Sequence, residues 1–249
     1  MTGLNKLIIL LLFLPLLAVE IETSKIYENG MDAYRKGQYD LAIQEFETIL
    51  SNNWDSPELY YNLGNAFYRV GNTAGAVWAF ESCLKLSPTH EDAKYNLKLT
   101  NLKVIDRIDL PFPPFYLKWY LGIQERYTPS QWLNVFLFIL LLVALLMSVS
   151  RITSLSVLGK LQGINMTVLF MVLFLTLHSI WIANSYDLGI IYSPQVEVRS
   201  EPNQFSTRLF EVHEGLRVSI NQEVDGWVEI ELLDGKIGWI EDSQIRLLR

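Results

Sequence analysis

Three hydrophobic rhythms follow one another along the chain. Between Tyr27 and Leu97 apolar residues return every third or fourth position, as on the buried side of helices; Ala42, Phe46 and Ile49 stand at i, i+4 and i+7. From Trp132 to Val149, and again from Ile164 to Ala183, the sequence is almost wholly apolar, each run long enough to cross a bilayer as a helix. Beyond residue 187 the period shortens to two. Val196 and Val198, then Arg217–Ile220, Trp227–Ile230 and Ile237–Ile240, read as short strands, with turns at Asp225-Gly226 and Asp234-Gly235. The pattern predicts a multidomain chain: all-α helical repeats, a two-helix transmembrane hairpin and a small all-β barrel.

The helical part is written twice, 34 residues apart. Gly30 recurs as Gly64, Gly37 as Gly71, Ala42 as Ala76 and Phe46 as Phe80, and a partial third copy echoes Tyr61, Asn62 and Leu63 as Tyr95, Asn96 and Leu97. A fixed period of this length announces stacked helix–turn–helix units, and these residue types resemble the tetratricopeptide repeat. The small residues let the two helices of a unit approach closely. Cys83 occupies a small, buried position, and Pro88 stops the second unit. Residues 89–106 are expected to form one further helix, with Ala93, Leu97 and Ile105 inward, as a solvated cap. The repeat domain is therefore placed at 20–107. Two full repeats are fewer than the three usually needed for stability, so the capping helix or a partner must contribute.

Residues 1–19 read as an export signal, with Lys6 before a short apolar core from Leu7 to Leu17; an uncleaved anchor is the alternative. Residues 108–128 hold Pro111, Pro113 and Pro114 beside Phe112, Phe115, Tyr116, Trp119 and Tyr120. The prolines favour an extended linker. The aromatics suit either a membrane interface or packing against the repeats. Thr128, Pro129 and Gln131 form a helix start, followed by spans at 129–150 and 164–186, the second closed by Trp181 and Tyr186. Two spans place both flanking domains on the same side, with 151–163 as a cytoplasmic loop. His178 lies within the second span, where an ionisable residue is a functional group, a hydrogen-bond partner for Asn134, or a side chain that reaches the interface.

The last section, 187–249, resembles the bacterial SH3 domain through Val198, Arg199, Gly215, Gly226, Trp227, Gly235, Gly238 and Trp239. Its two tryptophans are expected to brace the barrel rather than stack on a ligand.

Charge narrows the function. Residues 20–110 carry 14 acidic and 9 basic side chains, and 187–249 carry 12 and 6, so both flanking domains are acidic. Nucleic acid, which requires clustered Lys and Arg, is disfavoured as a partner. The single cysteine rules out an internal disulfide. There is no phosphate-cradling glycine loop, metal-binding His pair or nucleophile elbow, so the reading is a non-enzyme without cofactor or metal. The three histidines are scattered, with His90 opening the capping helix and His213 in an expected surface turn.

The tetratricopeptide resemblance implies a peptide groove lined by the first helix of each unit. By position it includes Tyr27, Met31, Tyr34 and Arg35, then Tyr61, Asn62, Asn65, Tyr68 and Arg69, then Tyr95, Asn96 and Leu99. Aromatic and amide groups suit peptide binding. The groove is either a partner site, a bare solvated surface, or occupied by residues 108–120. The dicarboxylate clamp of chaperone-binding relatives is not matched, because Tyr27 and Asp92 stand where Lys is wanted.

The order of signal, repeats, two spans and SH3-like domain resembles the BatE family of aerotolerance-operon proteins. That resemblance implies an inner-membrane assembly factor with its domains in the periplasm. The implied partners are von Willebrand A-type membrane proteins and a MoxR-type ATPase system. Two functions follow: a scaffold whose groove binds a partner, or an envelope receptor whose SH3-like domain binds peptidoglycan.

Overall fold

The computed structural model describes residues 23–106, 114–153, 162–185 and 187–248. The expected export signal, Tyr186 and most of the expected cytoplasmic loop lie outside the described residues.

Helices α1 (23–35), α2 (Tyr39–Ser51), α3 (Pro57–Val70), α4 (Thr73–Leu86) and α5 (Glu91–Asn101) form the repeat array. Local chemistry sets their ends. Ser56 caps α3 by accepting the Leu59 amide at 3.1 Å, with Pro57 in its first turn. Gly71, at φ 80°, ends α3 in the left-handed conformation, and the Asn72 side chain opens α4 by accepting the Gly75 amide at 2.8 Å. His90 caps α5 through Nδ1, which accepts the Ala93 amide at 3.2 Å. The repeated glycines do equivalent work. A Cβ on Gly30 would lie 2.6 Å from the Phe46 ring, and one on Gly64 would lie 2.6 Å from Phe80. Phe46, Phe80, Ala42, Ala76 and Cys83 are fully buried.

The capping helix is shorter than expected. It ends at Asn101, and Ile105 is 68 % exposed; Val104 is buried in its place. With the helix ended, the chain turns at 102–103, and the inward position moves from Ile105 to Val104.

The expected extended linker is helical over Phe115–Gln124. Helix α6 (Phe115–Gln124) starts directly after Pro114. A proline is compatible with the very start of a helix, and only prolines further inside break one. Helices α7 (Pro129–Thr153) and α8 (Gln162–Ser185) pair along their lengths, and both are long and apolar enough to cross a membrane. A reciprocal capping box opens α7: Gln131 N donates to Thr128 Oγ1, and Thr128 N donates to Gln131 Oε1.

Strands β1 (Asp187–Ile191), β2 (Gln195–Arg199), β3 (Arg208–His213), β4 (Arg217–Val224), β5 (Trp227–Glu231), β6 (Ile237–Glu241) and β7 (Ile245–Leu247) follow. They form one antiparallel sheet in the order β3-β2-β6-β5-β4-β1-β7. Irregularities at Val198/Arg199 and Ile220/Gln222 bend it. Asp225 and Gly226, both at positive φ, close the β4–β5 hairpin. Ile191, Val196, Val198, Val212, Ile230 and Ile240 form its core. Trp239 is buried, whereas Trp227 is only half-buried.

The β domain is docked on the repeats rather than tethered beside them. Ile190 and Leu248 enter the same apolar core as the helices. Trp78 Nε1 donates to the Leu247 carbonyl at 2.7 Å, and the Arg246 guanidinium lies 3.5 Å over the Trp78 ring. Arg246 also reaches Glu47 at 3.0 Å, and Arg217 reaches Glu81 at 3.2 Å. His213 therefore does not sit in a surface turn. It closes β3 against Asp106, whose carboxylate accepts the His213 backbone amide at 2.5 Å and meets Nδ1 at 3.1 Å.

Candidate functional site

The second helices of the two units, α2 and α4, carry the β domain, so the face formed by α1, α3 and α5 remains uncovered by it. The twelve groove positions fall into three groups on that face.

The first group is already paired within the chain. Asn62 Nδ2 donates to the Tyr27 hydroxyl at 2.7 Å, and burial pushes the Tyr27 pKa up, with the Asn62 bond offsetting part of the rise. Tyr61 packs on the Phe80 ring at 6.2 Å and the His90 ring at 4.8 Å. Met31 and Tyr27 both pack against the repeat core. These residues shape the wall, and the Tyr27 hydroxyl and Asn62 amide are committed to each other across neighbouring units.

A second group gathers around a concavity of about 190 Å³ lined by Tyr34, Asn65, Tyr68, Arg69, Asn96 and Leu99. Asn96 Nδ2 donates to Asn65 Oδ1 at 2.8 Å, which ties α5 to α3 and leaves the second amide proton of Asn96 and the Asn65 NH₂ for other contacts. The Tyr34 hydroxyl partners Arg69, whose guanidinium is a permanent cation. Lys103 Nζ sits 3.7 Å from the Tyr68 ring centroid. Sequence reasoning missed Lys103, because it follows the helix end and its position depends on how the chain turns there. The concavity is thus aromatic-walled, floored by amides and bordered by two cations in a protein of formal net charge −7.

The third group lies at the margins. Arg35 is held by Asp32 at 2.6 Å, and Tyr95 is 64 % exposed and does not line the concavity.

Occupation of the groove by the chain's own aromatic segment is corrected for residues 114–120. Those residues belong to α6 or precede it, and α6 bonds to α8: Tyr120 Oη lies 2.7 Å from His178 Nδ1. This pair also replaces the expected His178–Asn134 contact. Residues 108–113 lie outside the described residues.

A family model described as TPR repeat matches residues 32–71, and one described as bacterial SH3 domain matches residues 194–244. Both domain types are typically non-catalytic interaction modules. No curated protein matches the chain.

Proposed function

We propose that the protein is a membrane-anchored interaction scaffold whose repeat groove holds a segment of a partner protein. The observation that carries this reading is the docking of the SH3-like domain on α2 and α4, which stabilises a short array while leaving the α1–α3–α5 face open. Tyr34, Asn65, Tyr68, Arg69, Asn96 and Leu99 form the centre of the site. Rings supply contact area, amides pair with an extended backbone, and Arg69 with Lys103 favours a segment carrying a carboxylate.

Within this reading the resemblance to the BatE family suggests the setting. The chain lies in the inner membrane with its domains in the periplasm, and the partners are von Willebrand A-type proteins of the same operon, working with a MoxR-type ATPase. The test is affinity purification from mild detergent, comparing the intact chain with an Asn65→Ala/Tyr68→Ala variant shown by circular dichroism to be folded. Loss of von Willebrand A-type proteins from the variant is the expected result. An unchanged partner list removes the groove as the site.

Peptidoglycan binding by the SH3-like domain is the second reading. One feature favours it: Phe205 stands fully exposed on the β2–β3 turn, which is fixed by Arg199 donating to the Ser206 carbonyl at 3.0 Å and by Phe205 N donating to Asn203 Oδ1 at 2.9 Å. Co-sedimentation of the detergent-solubilised chain with purified wall material, lost on Phe205→Ser, would favour this reading over the scaffold. No sedimentation at any salt concentration would eliminate it.

A further inference from the structure

The segment between the repeats and the first span carries a surface whose chemistry is unlike that of either neighbour. Along α6, Phe115 is 85 % exposed and Trp119 is 67 % exposed, and Tyr116 beside them is also exposed. Phe115 and Trp119 are four residues apart and share one face. Lys118 and Glu125 share a second, polar edge, about 80° to 100° round the helix. A third side, Tyr120 and Gln124, is turned onto α8.

That third side is held by a directional chain of hydrogen bonds. Gln124 Nε2 donates to the Leu175 carbonyl at 3.2 Å and to the Tyr120 hydroxyl at 3.2 Å. The Leu175 carbonyl can only accept, so the amide orientation is fixed, and the Tyr120 hydroxyl is free to donate its own proton to His178 Nδ1 at 2.7 Å. Trp132 Nε1 donates to the Gln124 carbonyl at 3.4 Å, and Thr176 Oγ1, which donates to the Val172 carbonyl at 2.8 Å, lies 3.3 Å from the Trp132 carbonyl, so the same cluster marks the register of the two spans.

The register has a consequence for depth. Thr176 is level with Trp132, the fourth residue of α7, so α8 continues for six residues, about 9 Å, past Pro129 at the start of its partner. Helix α6 bonds to α8 at Leu175 and His178, beside the first turn of α7. Its contact at His178 is about 10 Å below the end of α8. Phe174 and Trp181, both exposed on α8 and both packed on the His178 ring, continue its apolar surface.

We propose that α6 is a third membrane-contacting element: a short helix clamped to α8 by Tyr120 and Gln124, with Phe115 and Trp119 among the acyl chains and headgroups of the leaflet that faces the repeat and SH3-like domains. Lipid is the occupant that fits, because α6 is bonded to an apolar helix of membrane-spanning length whose Phe174 and Trp181 are also exposed, and its polar edge carries Lys118, as at a bilayer surface. This inference rests on α7 and α8 spanning a membrane.

The test uses the full chain in phosphatidylcholine/phosphatidylglycerol nanodiscs, spin-labelled one position at a time through Phe115→Cys, Trp119→Cys, Lys118→Cys and Leu141→Cys. The native Cys83 is fully buried and does not compete for the label. Oxygen, which concentrates in lipid, is compared with a water-soluble nickel chelate as relaxing agent. Labels at 115 and 119 should be relaxed several-fold more by oxygen than by nickel, and the label at 118 more by nickel. If nickel dominates at 115 and 119 while Leu141 remains oxygen-accessible, α6 is in water and the inference falls while the spans stand. If labels at 115 and 119 are shielded from both agents, the face is packed on protein and the inference also falls. If Leu141 is nickel-accessible too, the membrane reading fails with it.

Discussion

A glycine at the crossing of two helices is a tight constraint on this repeat. The Phe80 ring 2.6 Å from the Cβ that Gly64 lacks is fully buried, so it has no free direction in which to swing away. Gly64→Ala should therefore cost about 1–3 kcal/mol through overpacking. Gly122→Ala, in the middle of α6 with open space around it, should cost nothing. Urea denaturation of the two variants beside the parent checks this contrast. Cys83 gives a second prediction. Burial pushes its thiol up to about 12 from an ordinary 9.0. Between those values the unfolded chain has lost its thiol proton and the folded chain has not, so the unfolded state binds fewer protons. Stability should fall as pH rises through that window, and Cys83→Ala should remove that part of the slope. Alkylation by iodoacetamide at pH 8 should proceed only at the rate of unfolding. Both residues were legible in the sequence, since the repeat places a small side chain where helices touch and says so twice.

Among the elements, α4 carries the most information about assembly. It is buried on both sides: Ala76, Ala79, Phe80 and Cys83 face the repeat core, while Val77 and Trp78 are covered from the other direction. The sequence contains the sign of this. Thr73–Leu86 is apolar nearly all round, whereas α2 keeps a polar side, and a helix without a polar face belongs between two layers. What the sequence does not contain is the identity of the second layer, because a contact between Trp78 and Leu247 joins residues 169 apart. The same limit applies to α6. Three prolines favour extended chain locally, and only the contacts with α8, more than fifty residues on, make a helix there worthwhile. Trp78→Ala should lose about 3 kcal/mol, since it deletes a buried ring that also receives Arg246 and packs on Tyr60. Hydrogen exchange should locate the damage, with the amides of β1 and β7 exchanging faster and those of α7 unchanged. Equal acceleration everywhere would mean that the domains unfold as one unit and that the docking is not a separable layer.

At the scale of the whole molecule the repeats and the SH3-like domain share a core, and two acidic domains associate because their contact surface is locally complementary. Arg217 and Arg246 meet Glu81 and Glu47, and the Asp106 carboxylate accepts the His213 backbone amide. The groove residues were legible as positions, through the period, but not as a site. Only the fold separates Tyr27 and Asn62, which satisfy one another, from Tyr34, Tyr68 and Arg69, which border an open concavity, and only the fold adds Lys103.

One junction has a consequence for which partners such a groove serves. Only Tyr186 stands between the end of α8 at Ser185 and the first residue of β1, and β1 itself is part of the shared core. In the proposed membrane setting, a binding face joined to its span through a single residue is confined close to one height above the bilayer. A ligand diffusing freely in solution gains nothing from that arrangement. A ligand segment fixed a few residues from its own membrane helix is confined to the same thin slab, where its effective concentration rises to the order of millimolar. Modest intrinsic affinity then suffices, and selection falls on the spacing between that segment and the membrane as much as on its sequence.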